Sequence, residues 1–423
     1  MVNESPGSGC PRILIIAPHG SYRSSAFIDA AQRLGGKALI ASEGAHSVVS
    51  AYAEGLHLPL DDDDTALQRI LRADANEPFA AILGTDDSTT ELAARASQAL
   101  GLPHNPLAAV RYGRRKDLAR QRLSEAGVPV PAFHILDCRV PLAPQINALH
   151  YPLVLKPVAL SGSRGVIRVD DREALVQAVA RVQQILQAEG ALPDEIAHTL
   201  LLEQFIPGQE VALEGLLVNG HLQTLTVFDK PDPLDGPFFE ETYYITPSRH
   251  SAQQLAQLAR VVQAACHAYG LREGPVHAEC RLNDSGAWVL EVAARTIGGL
   301  CARLVQFSTG FSLEELVLSQ AMGHPVRLAQ GEGGAGVLMI PIPRAGLLKR
   351  IEGLLAAQQV PFIESIEIQI REGCELVPLP EGSSYLGFIF ARAPTAAQAE
   401  AALRKAHACL NIVVAPLWKV SVA

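Results

Sequence analysis

The chain has 423 residues, 48% hydrophobic and 19% charged; at about 150 residues per domain this implies roughly three core-forming units rather than a disordered chain. Its net charge of −9 argues against a general nucleic-acid binder, and no apolar run reaches the ~18 residues that a membrane span needs. The seven cysteines contain no CxxC pair, which fits neither a disulfide framework nor a zinc site, and the leading MVNESPGSGCPR has no hydrophobic signal core, so the expected compartment is the cytoplasm.

In chain order, Arg12–Ala17 (RILIIA) reads as a buried parallel strand and Ser24–Leu34 as the helix after it. Ala38–Ala41, Leu56–Leu58 and Phe79–Leu83 are further strands, and Asp64–Ala73 and Ser88–Leu100 are helices between or after them. This alternation predicts a small doubly wound parallel sheet, and the missing GxGxxG argues against a dinucleotide fold. The acidic run Asp61–Asp64 fits a helix N-terminus stabilised by the dipole. Lys116–Ala126 is a helix closed by Gly127.

The texture then changes to β-rich runs at Pro152–Lys156, Gly165–Val169, Leu200–Phe205, Glu210–Val218 and Leu222–Phe228, with Gly and Pro turns as in antiparallel sheets. Helices at Arg172–Ala188 and Ser251–Tyr269 interrupt them, and Pro275–Ala294 reads as a hairpin around Asn-Asp-Ser-Gly. Strands near Gly336–Ile342, Ile366–Ile370 and Leu386–Ala391 suggest a closing βαβ-like section.

Three stretches carry chemistry. In PLVLKPVALSGSRGVIRV, Lys156 ends a strand and the small residues Ser161, Gly162, Ser163 and Gly165, with Val166 after them, form a loop able to offer backbone N–H groups to a triphosphate. In LLLEQFIPGQEVALEG, Glu203, Gln204, Phe205 and Ile206 form an extended hinge suited to an adenine edge, with Glu210 placed for ribose hydroxyls. Alone, the first also fits a plain hairpin connection and the second a surface hairpin. In HAECRL and VLEVAAR, Glu279 and Glu291 stand on paired hairpin strands, where two buried carboxylates repel unless a cation joins them. Oxygen-only ligands next to a phosphate favour Mg²⁺. Arg295, four residues on, can reach an anion; an ordinary salt-bridged hairpin is the alternative.

In this order, the pieces resemble the ATP-grasp fold, from about Arg12 and most specifically from Lys116 to Gly299. Lys116 and Lys156 match the family's two ATP lysines, SGSRGV its mobile phosphate loop, EQFIPGQE its hinge, Glu279 and Glu291 its metal carboxylates, and Arg295 the arginine beyond them. Within the superfamily the chain is most similar to the L-amino acid ligases that form dipeptides. Ala293 stands where biotin carboxylases and D-alanine–D-alanine ligases carry a metal-binding Asn, and FDKPDPLDGPFFEETYYITPS resembles the substrate-facing strand of the dipeptide ligases. Glu241 then aligns with an acidic residue near the substrate amine or metal, and Tyr244 replaces a common His.

The resemblance implies an N-terminal α/β domain over residues 1–112, a central lid over 113–210 and a C-terminal α+β substrate domain over 211–423, with the βαβ-like section from about 330. It also implies ATP with Mg²⁺ (Mn²⁺ as a substitute), catalytic roles for Arg295, Lys156 and Glu241, and small carboxylate and amine substrates joined into an amide through an acyl phosphate. No nucleic-acid or membrane partner is expected, and a homodimer is compatible with the family. The competing readings are a ligase or carboxylase for non-amino-acid substrates, as in purine biosynthesis or biotin carboxylation, and a non-catalytic nucleotide-binding protein.

Overall fold

The structure, a computed structural model, describes residues 10–19, 21–43, 54–190, 192–324, 328, 329 and 331–417. The stretch before Cys10, on which the absence of a signal core was read, lies outside the described residues.

The first sheet is wholly parallel, in the order Glu54–His57, Lys37–Ser42, Arg12–Ile16, Ala81–Gly84. Its central strand is a continuous apolar run because both faces are covered. Leu14 and Ile16 pack with Ile70 and Leu92 on one face, while Ile13 and Ile15 join Phe27, Leu316 and Val317 on the other. Asp62 caps the helix Asp63–Asn76 by accepting the Thr65 N–H at 3.1 Å, so the acidic run is a helix start.

The second sheet is antiparallel, in the order Phe133–Asp137, Thr199–Gln204, Leu153–Pro157, Ile167–Val169. The helix Arg172–Ala188 closes one face through Leu175, Val179 and Val182. The strand expected from Gly165 starts only at Ile167, because Gly162, Ser163 and Gly165 all take positive φ and form a turn.

The third sheet has eight antiparallel strands: Gly286–Ala293, Gly274–Asn283, Gln209–Val218, His221–Asp229, Tyr243–Thr246, Gly334–Ile340, Gly387–Ala393 and Ile363–Ile368. The helix Ala252–Tyr269, fixed by a Ser251–Gln254 capping box and ended by left-handed Gly270, packs over its first strands. The closing section is not a βαβ unit. Gly334–Ile340, Gly387–Ala393 and Ile363–Ile368 pair antiparallel, while Gly346–Glu352 and Asn411–Ala415 leave to form a small sheet with Glu375–Leu376. An apolar strand covered on both faces has the same sequence pattern whichever way its neighbour runs, so the direction was not readable. The helix Leu107–Arg114, unforeseen in the sequence, lies against the hairpin, where a Cβ on Gly113 would come within 3.4 Å of the Ala294 nitrogen.

Candidate active site

The three larger sheets enclose a cavity of about 1200 Å³, lined by Lys116, Lys156, Ser161–Ser163, Val166, Glu203–Ile206, Glu210, Glu241, Glu279, Glu291 and Arg295, among others. Of the residues expected from sequence to hold ATP, metal or substrate, only Gly165 is missing from this lining. Its N–H is taken by the Pro380 carbonyl at 2.9 Å, so Gly165 shapes the loop instead of offering a donor to phosphate.

Lys116 opens the helix Lys116–Glu125; its ammonium donates to the Leu160 carbonyl at 2.9 Å and lies 3.3 Å from Glu291. Lys156 comes from the strand beside the loop and pairs with Glu203 at 2.6 Å. Glu203 is 1% exposed and also bonded by Arg120, whose guanidinium donates to the Val289 and Leu290 carbonyls. Burial opposes its ionisation, but Arg120 and Lys156 outweigh burial and hold its carboxyl below the ordinary 4.5. The first residue of the hinge expected at the adenine edge is thus the centre of a buried ion triad. Along the hinge, the Gln204 and Phe205 N–H groups donate to Ala132 and Pro152, and Ile206 O accepts from Arg281. Glu210, expected at the ribose, is held by Lys230 at 2.8 Å and Arg281 at 3.3 Å.

Glu279 and Glu291 are register partners across the hairpin, and the ladder slips between Glu279 and Cys280. The slip leaves Leu290 as an extra residue, a bulge of the kind that re-aims side chains beside a site, and both Leu290 and Glu291 line the cavity. The repulsion expected between the two carboxylates is met by the protein's own cations. Lys230 lies 3.0 Å and His277 3.6 Å from Glu279, and Lys116 faces Glu291. A metal is therefore not required to balance them. Burial opposes ionisation of Glu279, yet Lys230 and His277 keep it well below the usual carboxylate range. Burial likewise opposes protonation of His277, but its bonds to Glu214 and Glu279 push it up to about 9.

The pair nevertheless fits a hard divalent ion: two carboxylates, 22% and 29% exposed at the side chain, opening on one cavity with oxygen donors only. The loop fits a phosphate cradle, since a Cβ on Gly162 would reach Ser383 at 3.0 Å. Ala293 is buried and offers no ligand atom. Among the described residues, one group of three acidic or ligating side chains is close enough to hold an ion, namely Glu210, Glu241 and Glu279, and it differs from the pair read from sequence.

Arg295 is tied to the N-terminal sheet's loop by Asp87 at 2.9 Å and donates to the Thr296 carbonyl. At the far end, Glu241 accepts from the Tyr244 hydroxyl at 2.7 Å and from Lys230. Burial first and the neighbouring charge of Glu279 second push it up to about 8, against the pull of Lys230. Of the four nearby aromatics, Phe239 and Tyr244 line the cavity, whereas Tyr243 and Phe238 pack into separate cores. Sequence reasoning missed Arg120, Lys230 and Arg281. Each is a single basic residue without a motif; the only signal was a lysine directly after the apolar strand ending in FD.

The sheets and the cavity between them define the ATP-grasp fold class. Three family models match the chain: the ATP-grasp N-terminal domain over residues 28–104, the ATP-grasp domain over 149–303 and the L-amino acid ligase C-terminal domain 2 over 338–415. The crystal structure of an L-amino acid ligase from Bacillus licheniformis is 30% identical, with a TM-score of 0.83 over 96% of this chain and 100% of that one. Carnosine synthase 1 of Gallus gallus is 29% identical over 86% of this chain and 42% of its own length. The N5-carboxyaminoimidazole ribonucleotide synthetase of Thermotoga maritima, at 16% identity and a TM-score of 0.68 over 96% of this chain and 100% of that one, shares the fold alone. The chain belongs to the L-amino acid ligase family of the ATP-grasp superfamily. It spans 41% to 61% of the length of the first curated relatives it matches. No described helix is long and apolar enough to cross a membrane.

Proposed function

We propose that the protein is an ATP-dependent carboxylate–amine ligase that joins two L-amino acids into a dipeptide, releasing ADP and phosphate. The observation that carries this reading is one continuous cavity. Its lining runs from Lys116, Lys156 and the loop residues Ser161–Ser163 and Val166, past Glu279, Glu291 and Arg295, to Glu241 and Tyr244.

In this reading Lys116, Lys156 and the loop hold the ATP phosphates, and the hinge Glu203–Ile206 with Glu210 takes the adenosine. Glu279 and Glu291 would hold Mg²⁺, or Mn²⁺ in its place, which when bound neutralises phosphate charge. Glu241 receives the ammonium of the first amino acid, a second cation beside Lys230 that favours its ionised form, and Arg295 faces the substrate carboxylate and the transferring phosphoryl group. A carboxylate oxygen attacks the γ-phosphorus, the bond to the β–γ bridging oxygen breaks, and ADP leaves with that electron pair. The free amine of the second substrate attacks the carbonyl carbon of the acyl phosphate. Phosphate departs with the former carboxylate oxygen, and the amine loses a proton to solvent. Closure of the small-residue loop would keep water from the acyl phosphate.

The names of the neighbours, an L-amino acid ligase, a carnosine synthase and an alanine–anticapsin ligase, support amino acids as the substrate class. The carboxylase and ribonucleotide readings have the fold in their favour and no more. Incubating the protein with Mg-ATP and all amino acids paired two by two tests the proposal, with phosphate release and product mass as readouts. A dipeptide mass formed together with ADP is expected; phosphate release with no amide anywhere in the matrix contradicts it.

A further inference from the structure

One buried charged group behind the cavity wall has no part in the roles above. Lys230 follows the strand His221–Asp229 and is 3% exposed. Its ammonium bonds Glu210 Oε1 at 2.8 Å, Glu279 Oε1 at 3.0 Å and Glu241 Oε1, and lies 5.1 Å from the centre of the Tyr244 ring. Those carboxylates take all three of its N–H bonds. Glu210, Glu241 and Glu279 present oxygens that all lie within 4.8 Å of one another. Three carboxylates at that spacing repel strongly unless a cation sits among them, and oxygen donors so grouped suit a divalent ion. Lys230 already bonds one oxygen of each.

We propose that Lys230 is a fixed internal cation that keeps a divalent ion off Glu210 and Glu241, and so confines the catalytic metal to the Glu279–Glu291 side of the cavity. The inference rests on the reading of Glu279 and Glu291 as metal carboxylates. An ammonium differs from a metal in ways that suit this position: it cannot dissociate from the chain, and it directs three bonds to set oxygens. A divalent ion lodged between Glu210 and Glu241 would instead occupy the carboxylate that the proposed reaction keeps for a substrate ammonium. Lys230 is thus a positioning residue; it acts on substrate and metal through the three glutamates it holds.

Mn²⁺ alone, titrated into the full chain and counted by the loss of its free electron-paramagnetic-resonance signal, tests this without reference to turnover. K230Q is expected to bind one Mn²⁺ per chain more than wild type, and to keep that extra ion when Glu291→Gln is added. With Lys230 in place, Glu210→Gln and Glu241→Gln are expected to leave Mn²⁺ affinity within about twofold, whereas Glu279→Gln and Glu291→Gln weaken it more than roughly tenfold. A folded K230Q with the wild-type Mn²⁺ count overturns the proposal. So does a loss caused by Glu241→Gln in the wild-type background as large as that caused by Glu291→Gln, which decides the matter even if K230Q fails to fold. Wild-type Mn²⁺ binding that survives Glu291→Gln overturns the underlying metal assignment instead, a result distinct from the other two.

Discussion

Glu203 sits between Arg120 and Lys156 with almost no exposure, and Arg120 in turn ties the hinge to the carbonyls of Val289 and Leu290 on the hairpin. Removing one charge from such a buried group leaves the others uncompensated, at a cost of about 3–5 kcal/mol. Glu203→Gln should therefore lower stability by about that amount near neutral pH, as read by urea unfolding. The sign with pH follows from the depressed carboxyl. Its stabilisation is complete above the ordinary 4.5 and is lost as pH falls from there through the folded-state value. Wild type should lose stability on acidification through that window, and Glu203→Gln should show a shallower loss; parallel profiles would contradict the triad. The residue was legible in the sequence as a carboxylate after an apolar run, but its partner was not. Arg120 lies 83 positions away, and no spacing rule connects the two. Lys230 was hidden for the same reason, since its three acceptors come from three different strands or loops.

At the scale of elements, the loop Ser161–Gly165 rests against the segment around Pro380–Ser383. Gly165 donates to Pro380 O, Arg164 donates to Glu381 O, and Arg181 forms a two-bond pair with the Glu381 carboxylate at 2.6 and 3.0 Å. The Arg181–Glu381 pair is more than a third exposed on both sides, so it contributes about 0–1 kcal/mol, weak enough to release. Glycine matters more: Gly165 has φ +68°, and a Cβ there would meet the Pro157 ring at 3.1 Å. Gly165→Ala is expected to shift the loop toward its open form by about 1–2 kcal/mol, roughly 5- to 30-fold, seen as faster amide exchange over residues 160–166. Unchanged exchange there would show that the loop is not held closed by this contact. The elements with local signals were readable, including the capped helix Ala252–Tyr269 and the Asn283–Gly286 hairpin turn. The contact between the loop and the 380s was not, because it joins segments more than 200 residues apart and rests largely on backbone groups.

Across the whole molecule, the parallel sheet is not an independent unit. Phe27 and Ile28 on the helix Ser24–Arg33 share one core with Leu313, Leu316 and Val317 and with Phe388 of the eight-stranded sheet. Arg33 pairs with Glu315, and Arg295 with Asp87, across the same boundary. Apolar periodicity gives no sign that two sheets share a core. Phe27→Ala should cost about 3–5 kcal/mol and lower a single thermal transition. Two resolved transitions, with only the first displaced, would mean that the units unfold separately. The shared boundary also bears on the cavity, since Arg295 in its lining is paired with Asp87 from the N-terminal sheet's loop. The central claim, that a carboxylate is phosphorylated in this cavity before the amine arrives, is tested most directly by isotope transfer. An amino-acid substrate carrying ¹⁸O in its carboxylate is turned over with Mg-ATP, and the released phosphate is analysed by mass spectrometry. One ¹⁸O in the phosphate is expected for each amide formed; label found in AMP, or amide formed with unlabelled phosphate, would rule out an acyl phosphate.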